Sequence, residues 1–448
     1  MSKRNFILLI IIIVIALIAI FGYFYFNQGT NTPGGDDTGT NFISQFYPFR
    51  NNNNATKPTT TTPPIDVSDY QPPMDVVTVK LKKVSSMPIA GFTVFSKERL
   101  KDVPIVTPVL ETDATTENPA PKITKPTPPL TEFMPALRYV ERTTGNIYQT
   151  FADKIEERKF STTIIPMVYE AFFGNKGNSV VMRYLKGDAK TIITFVGTLP
   201  KEFLGADTTD NNEIKGTFLP EDTEDVSLSS DNLTLFYLFN SGDNIIGTTL
   251  NLVNNKKVQV FDSPFTEWLS LFPNNKMITF TTKPSFLIPG YMYALNPTNK
   301  NYNFHEILGN INGLTTLTSS DGKLVLYSND NLSLNIYHIN TKVSDALVVK
   351  TLAEKCVWNK NSDAIYCGVP KSISGTQYPD SWYQGEVSFS DQIWKIDIKT
   401  KNATMIADPA TMVGGEDIDS IKLALDDGEN YLFFVNKKDS FLWELELK

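Results

Sequence analysis

From Lys80 onward the chain breaks into short runs rich in Val, Ile, Leu, Phe and Tyr, interrupted about every 8–12 residues by Gly, Asn, Asp, Ser or Pro. That spacing restricts the region to an all-β architecture of many short strands. Helical periodicity is scarce. A longer unit overlies the short one: a strand ends in a polar tight turn, and a strand of large apolar residues, a third strand and a more polar fourth follow. The clearest copy spans residues 314–350, where Ser319-Ser320-Asp321-Gly322-Lys323 forms the turn, 324–328 and 332–339 read as strands, and 346–350 closes the unit.

The same turn recurs at residues 174–178, 229–232, 273–276, 360–363 and 426–430, at spacings of about 40 to 65 residues. This is the spacing of four-stranded propeller blades. Blades are expected at 164–217, 224–262, 265–309, 312–351, 353–407 and 416–447, with a first blade spread over 89–162. The expected count is seven, with six or eight as alternatives. The last blade is one strand short at its C-terminal end, while residues 76–85 precede the first blade without a partner. If that segment supplies the missing outer strand, the ring closes without an unpaired edge at the seam.

The turn Ser-Ser-Asp-Gly-Lys, followed by Leu-Val-Leu-Tyr and then Leu-Asn-Ile-Tyr-His-Ile-Asn-Thr, resembles the TolB-type, WD40-like propeller repeat, closely in the 319–341 copy and loosely elsewhere over about 360 residues. The whole layout is similar to that of signal-anchored bacterial envelope proteins. The resemblance implies a periplasmic docking platform as a prior only, since a fold does not determine a function.

The N-terminus implies location. Lys3 and Arg4 precede an uncharged run from Phe6 to Phe26, long enough at ~1.5 Å per residue to cross a ~30 Å hydrocarbon layer. The next basic residue is Arg50, so the positive-inside bias predicts a cytoplasmic N-terminus, a transmembrane helix within residues 1–26, and everything beyond it outside. A cleaved secretory signal is the alternative, but such signals have shorter apolar cores and a small-residue cleavage site. Residues 27–75, rich in Thr, Asn, Gly and Pro, read as a disordered stalk, interrupted by Phe42, Phe46, Tyr47 and Phe49; residues 103–129 read as a disordered insertion within a propeller spanning 76–448.

Composition narrows the function classes. A net charge of −8, from 49 acidic and 41 basic residues with no basic cluster along the chain, argues against a nucleic-acid partner. Two cysteines and two histidines remove most zinc, haem, iron–sulfur and Cys/His nucleophile schemes. No cofactor is implied. A two-residue turn at Asn361-Ser362 sets Cys356 opposite Cys367, close enough for a cross-strand disulfide in an oxidising exterior; two buried free thiols are the alternative. No Gly-x-Ser-x-Gly elbow, phosphate loop or dinucleotide fingerprint occurs. His305 and His338 fall on expected outer or middle strands, positions suited to surface or packing roles.

Two features stand above this background. A long insertion, residues 370–389, joins the second and third strands of the blade containing Cys367 and carries Tyr378, Trp382 and Tyr383, rigid amphipathic residues that anchor interfaces or stack on sugars. A second loop, residues 284–290, carries Phe286, Leu287 and Ile288 two blades away on the same face. Either these aromatics form a contact surface, or both loops fold over the disk and bury them. The other feature is acidic: Glu221, Asp222, Glu224 and Asp225, with Glu416, Asp417 and Asp419, begin innermost strands and approach that face, where they could hold calcium, meet a basic partner, or simply stay solvated.

The expectation is therefore a non-enzymatic envelope protein docking a protein or glycan through Tyr378, Trp382, Tyr383 and Phe286. The alternatives are a carbohydrate-active or peptidoglycan-processing enzyme using Glu416, Asp417 and Glu221 in a central funnel, and a structural spacer.

Overall fold

The computed structural model describes residues 80–101, 130–202, 204, 212–298, 304–375 and 377–448. The expected transmembrane segment, stalk, aromatic island and 103–129 insertion lie outside them. Among the described residues no helix is long and apolar enough to cross a membrane.

The recurring turn shows how sequence becomes strand pairing. Ser319 Oγ donates to Asp321 Oδ1 (2.7 Å) and accepts the Leu324 amide (3.0 Å), while Gly322 takes a left-handed φ of 71°. The same bonds recur at Ser229, Asp231 and Thr234, with Asn232 at φ 57° in the glycine's place. Asparagine tolerates that region better than most residues. Each turn folds an inner strand back on a largely buried second strand, and two more antiparallel strands complete the unit.

The described residues form seven four-stranded sheets. The blades span residues 89–159, 168–218, 223–263, 268–312, 315–350 and 356–407, and the seventh combines 420–446 with an N-terminal strand. That strand, Leu81–Lys83, pairs antiparallel with Leu442–Glu446, Leu81 opposite Leu445. The ring is thus closed by chain from both ends, as counting the strands implied. Inner strands of neighbouring blades touch at several places in the ring, including Ile89–Leu100 against both Val168–Gly174 and Ser420–Leu425.

The core consists of interblade layers. One apolar cluster fills each of the seven interfaces; that between blades seven and one joins Phe433, Val435 and Leu442 to Ile89, Leu137 and Tyr139. A strand's two faces serve two different interfaces, so both faces are apolar and the strands read as near-continuous hydrophobic runs. The cysteines occupy opposite register positions, Cα atoms 4.0 Å apart, and form the disulfide Cys356–Cys367.

Candidate functional site

An eighth apolar cluster belongs to no blade interface. It comprises Leu332, Leu352, Tyr378, Trp382 and Phe389, most of it from the insertion in blade six. In this topology the segments leading into inner strands and the loops joining second to third strands emerge on one face of the ring, the loop face. The insertion is a loop of the second kind.

Its conformation follows from its own residues. Asp380–Tyr383 forms a single helical turn, α1, which the strand-based reading did not anticipate. The turn buries Trp382 and leaves Tyr383 outside: Tyr378 is 2% exposed, Trp382 4% and Tyr383 40%. The insertion reaches across the face. Asp380 accepts from the Phe286 amide (2.5 Å) and Ser285 Oγ (3.1 Å) of blade four, Leu332 of blade five packs beneath, and Lys437 Nζ of blade seven donates to the Trp382 carbonyl (2.7 Å).

Beneath Trp382 lies a fully buried ionic cluster. The Lys355 ammonium, preceding the inner strand Cys356–Trp358, bonds Asp391 at 2.7 Å, Asp419, and the Ser420 carbonyl at 3.0 Å; the three charged side chains have no exposed surface. Asp419 also accepts from Trp382 Nε1 (2.9 Å), the Phe389 amide (3.0 Å) and Ser388 Oγ (3.1 Å). Burial works against its charge, but Lys355 and these donors outweigh it and hold the carboxyl below the ordinary range. Asp391 is raised, because burial disfavours its charge and Asp419 repels it. The ammonium lies 5.2 Å from the ring centres of both Trp382 and Phe389, an added cation–π contact. Gly368 makes room for the cluster, since a Cβ there would stand 1.9 Å from Ser420 Oγ.

This geometry revises the expected site. Tyr378 and Trp382, proposed as contact residues, are internal pillars of the insertion, the burial left open as the alternative. Phe286 is half-buried, and Tyr383 alone of the four is exposed, its hydroxyl on Glu354 at 2.5 Å. The acidic residues do not gather: Glu221, Asp222, Glu224 and Asp225 belong to blade three and Glu416, Asp417 and Asp419 to blade seven. Glu221 pairs with Lys186 (3.0 Å), Glu416 with Lys83 (2.7 Å) and Asp417 with Lys438 (2.6 Å). Glu224 accepts from Asn240 and approaches Lys283, and Asp222 accepts the Ile192 amide. Asp225 retains some exposed surface, but its carboxyl points inward onto the Ser270 amide (2.6 Å), and burial pushes it up to about 6. Among the described residues no group of three or more His, Cys, Asp or Glu is placed to hold a metal ion. His338 meets Asp345 at 3.1 Å on the outer part of blade five.

Sequence reasoning missed Lys355 and Asp391. The available signal was slight: a lysine between Glu354 and Cys356 at the threshold of an apolar strand, and an aspartate opening another. Among its exposed charged and polar groups the face also leaves large apolar side chains uncovered: Leu287 and Ile288 on the blade-four loop, Ile373 and Tyr383 on the insertion, and Val413 on the approach to blade seven.

No protein-family model matches the chain, and no curated protein matches it. Among solved structures it is similar to an oligogalacturonate lyase in complex with manganese (10% identity, TM-score 0.45, covering 70% of this chain and 85% of that one). It is similar also to an oligogalacturonate lyase from Vibrio parahaemolyticus (9%, 0.46, 70% and 86%) and to TolB from Acinetobacter baumannii (12%, 0.37, 68% and 60%). Likenesses of this size transfer neither ligand nor activity to the chain.

Proposed function

We propose that the protein is a non-enzymatic docking platform of the cell envelope, tethered by its N-terminal apolar segment and stalk and contacting a partner protein through the loop face of the propeller. The observation that carries this reading is the pinned insertion. A twenty-residue loop held by a buried ion cluster and by bonds to blades four and seven is preorganised, and preorganisation lowers the entropy lost on binding. Around it stand Leu287, Ile288, Ile373, Tyr383 and Val413, exposed side chains of the type that anchors interfaces. The contact core thus moves from Tyr378 and Trp382 to these residues. The carboxylates invoked for an enzyme, Glu221, Glu416 and Asp417, each hold a lysine, and Glu221 lies on a different blade from the other two, which gives that alternative less support.

The test is crosslinking of full-length protein in native membranes, comparing wild type with Leu287→Ser/Ile288→Ser/Tyr383→Ala. These side chains are exposed, so melting should be unchanged. One discrete crosslinked species lost from the variant supports the reading; an unchanged pattern removes the loop face as the docking surface.

A further inference from the structure

The buried anchor of the insertion has the parts of a covalent reaction. Lys355, Asp391 and Asp419 meet with no exposed side-chain surface, roofed by Trp382 and Phe389, which are 4% and 2% exposed. The next charges out are engaged elsewhere: Lys437 donates to the Trp382 carbonyl, and Glu354 accepts from the Tyr383 hydroxyl. One ammonium and two carboxyl groups are thus shut away from solvent together.

The two carboxyls differ in what touches them. Asp419 uses both oxygens, one on Lys355 and the other on Trp382 Nε1, the Phe389 amide and Ser388 Oγ, and these donors keep it a carboxylate against its burial. Asp391 is served on one side only. Its Oδ2 accepts the Ser420 amide at 2.7 Å and Ser420 Oγ at 2.8 Å and stands 2.7 Å from Lys355 Nζ, whereas Oδ1 is buried with no hydrogen-bond partner among the described residues. A buried carboxylate oxygen without a donor is costly, and the cost falls when the group is the neutral acid. Burial and the adjacent Asp419 push Asp391 toward that form. Gly368 leaves the carboxyl unobstructed, since a Cβ there would stand 2.9 Å from Asp391 Oδ2.

We propose that Lys355 and Asp391 condense in the folded protein to an amide crosslink, with Asp419 as the base. Asp419 takes one proton from the Lys355 ammonium, which frees the nitrogen lone pair. The amine attacks Asp391 Cγ and the Nζ–Cγ bond forms, while the charge that develops on Oδ2 is met by the Ser420 amide and hydroxyl. A second proton of the nitrogen passes to Oδ1, the Cγ–Oδ1 bond breaks, and water leaves. The products are an amide, one water and Asp419 as the neutral acid; nothing is oxidised or reduced. Bulk water opposes such a condensation, but here it is shut out, and aligned intramolecular reactants reach effective molarities of about 10⁵–10⁸ M. The amide ties the approach to the strand Cys356–Trp358 to the strand Asp391–Asp397, so the insertion stays in a covalent loop even when the neighbouring disulfide is reduced, whatever the loop face binds.

The test is mass spectrometry of full-length protein purified in detergent with its disulfide reduced, beside Lys355→Met and Asp419→Asn, each checked for wild-type circular dichroism. The wild type should be lighter than its sequence by one water, Lys355→Met should carry its full sequence mass, and Asp419→Asn should be unlinked in most molecules. A tryptic digest of the wild type should contain a branched peptide joining residues 351–360 to residues 372–395, uncut after Lys355; a succinimide also removes one water but leaves no branch. Full mass in the wild type with cleavage after Lys355 overturns the proposal. A branch to residues 402–422 instead makes Asp419 the acceptor and overturns the roles assigned, and Asp419→Asn linked as fully as wild type overturns Asp419 as the base. The wild-type digest decides the crosslink even if both variants fail to fold.

Discussion

Glu444 offers a quantitative test of how the ring is closed. It sits on the strand Leu442–Glu446, opposite Lys82 of the closing N-terminal strand, with no exposed surface and no hydrogen bond to either carboxyl oxygen among the described residues. Lys82 Nζ approaches to 3.7 Å, too far to offset the desolvation, and burial pushes the carboxyl from 4.5 up to about 8. A carboxyl with a raised folded-state pKa contributes full stability below its unfolded value and loses it as pH rises through the folded one. Its penalty is therefore under about 1 kcal/mol at pH 5 and about 3 kcal/mol at pH 7, at ~1.4 kcal/mol per pH unit between the two pKa values. Glu444→Gln keeps the shape without the titration, so the stability difference between variant and wild type should move by about 2.5 kcal/mol in the variant's favour from pH 5 to pH 7. Asp225 titrates in the same window in both proteins and cancels. Urea midpoints followed by tryptophan fluorescence at pH 5, 6 and 7 measure this directly; a difference that stays constant with pH would refute the reasoning.

Four further outcomes follow from the same packing. Lys355→Met leaves Asp391 and Asp419 buried without their cation and should cost about 3–5 kcal/mol, with limited proteolysis cutting first within residues 371–388; Gly368→Ala should loosen the same segment through its clash with Ser420. Deleting residues 1–84 removes the closing strand and should lower the melting temperature far more than deleting residues 1–79, whereas equal effects would show that the seam does not depend on Leu81–Lys83. Replacing both Cys356 and Cys367 by Ala should cost about 2–3 kcal/mol, as expected for a bridge closing a loop of this length, with unchanged far-ultraviolet circular dichroism as the control.

Much of the ring was legible because its determinants are local. The turn needs a side-chain acceptor at its first position and a left-handed residue three positions on, and Ser319 with Gly322, or Ser229 with Asn232, declare this within a few residues. The register that joins Cys356 to Cys367 follows from a two-residue turn by subtraction. The loop face was harder to read. Whether Tyr378, Trp382 and Tyr383 point inward or outward depends on the helical turn Asp380–Tyr383 and on what lies beneath it, and an aromatic side chain suits either environment.

The sequence by itself determined a chain of repeating four-strand units that needs its N-terminal segment to close, because turn chemistry, alternation and strand length act over a few residues and repeat. Only the tertiary structure decided which charges are buried and which aromatics are surface. Lys355, Asp391 and Asp419 are separated by 36 and 28 residues and come from two blades. The energy of a buried charge is set by neighbours brought from elsewhere in the ring, and no local pattern encodes them.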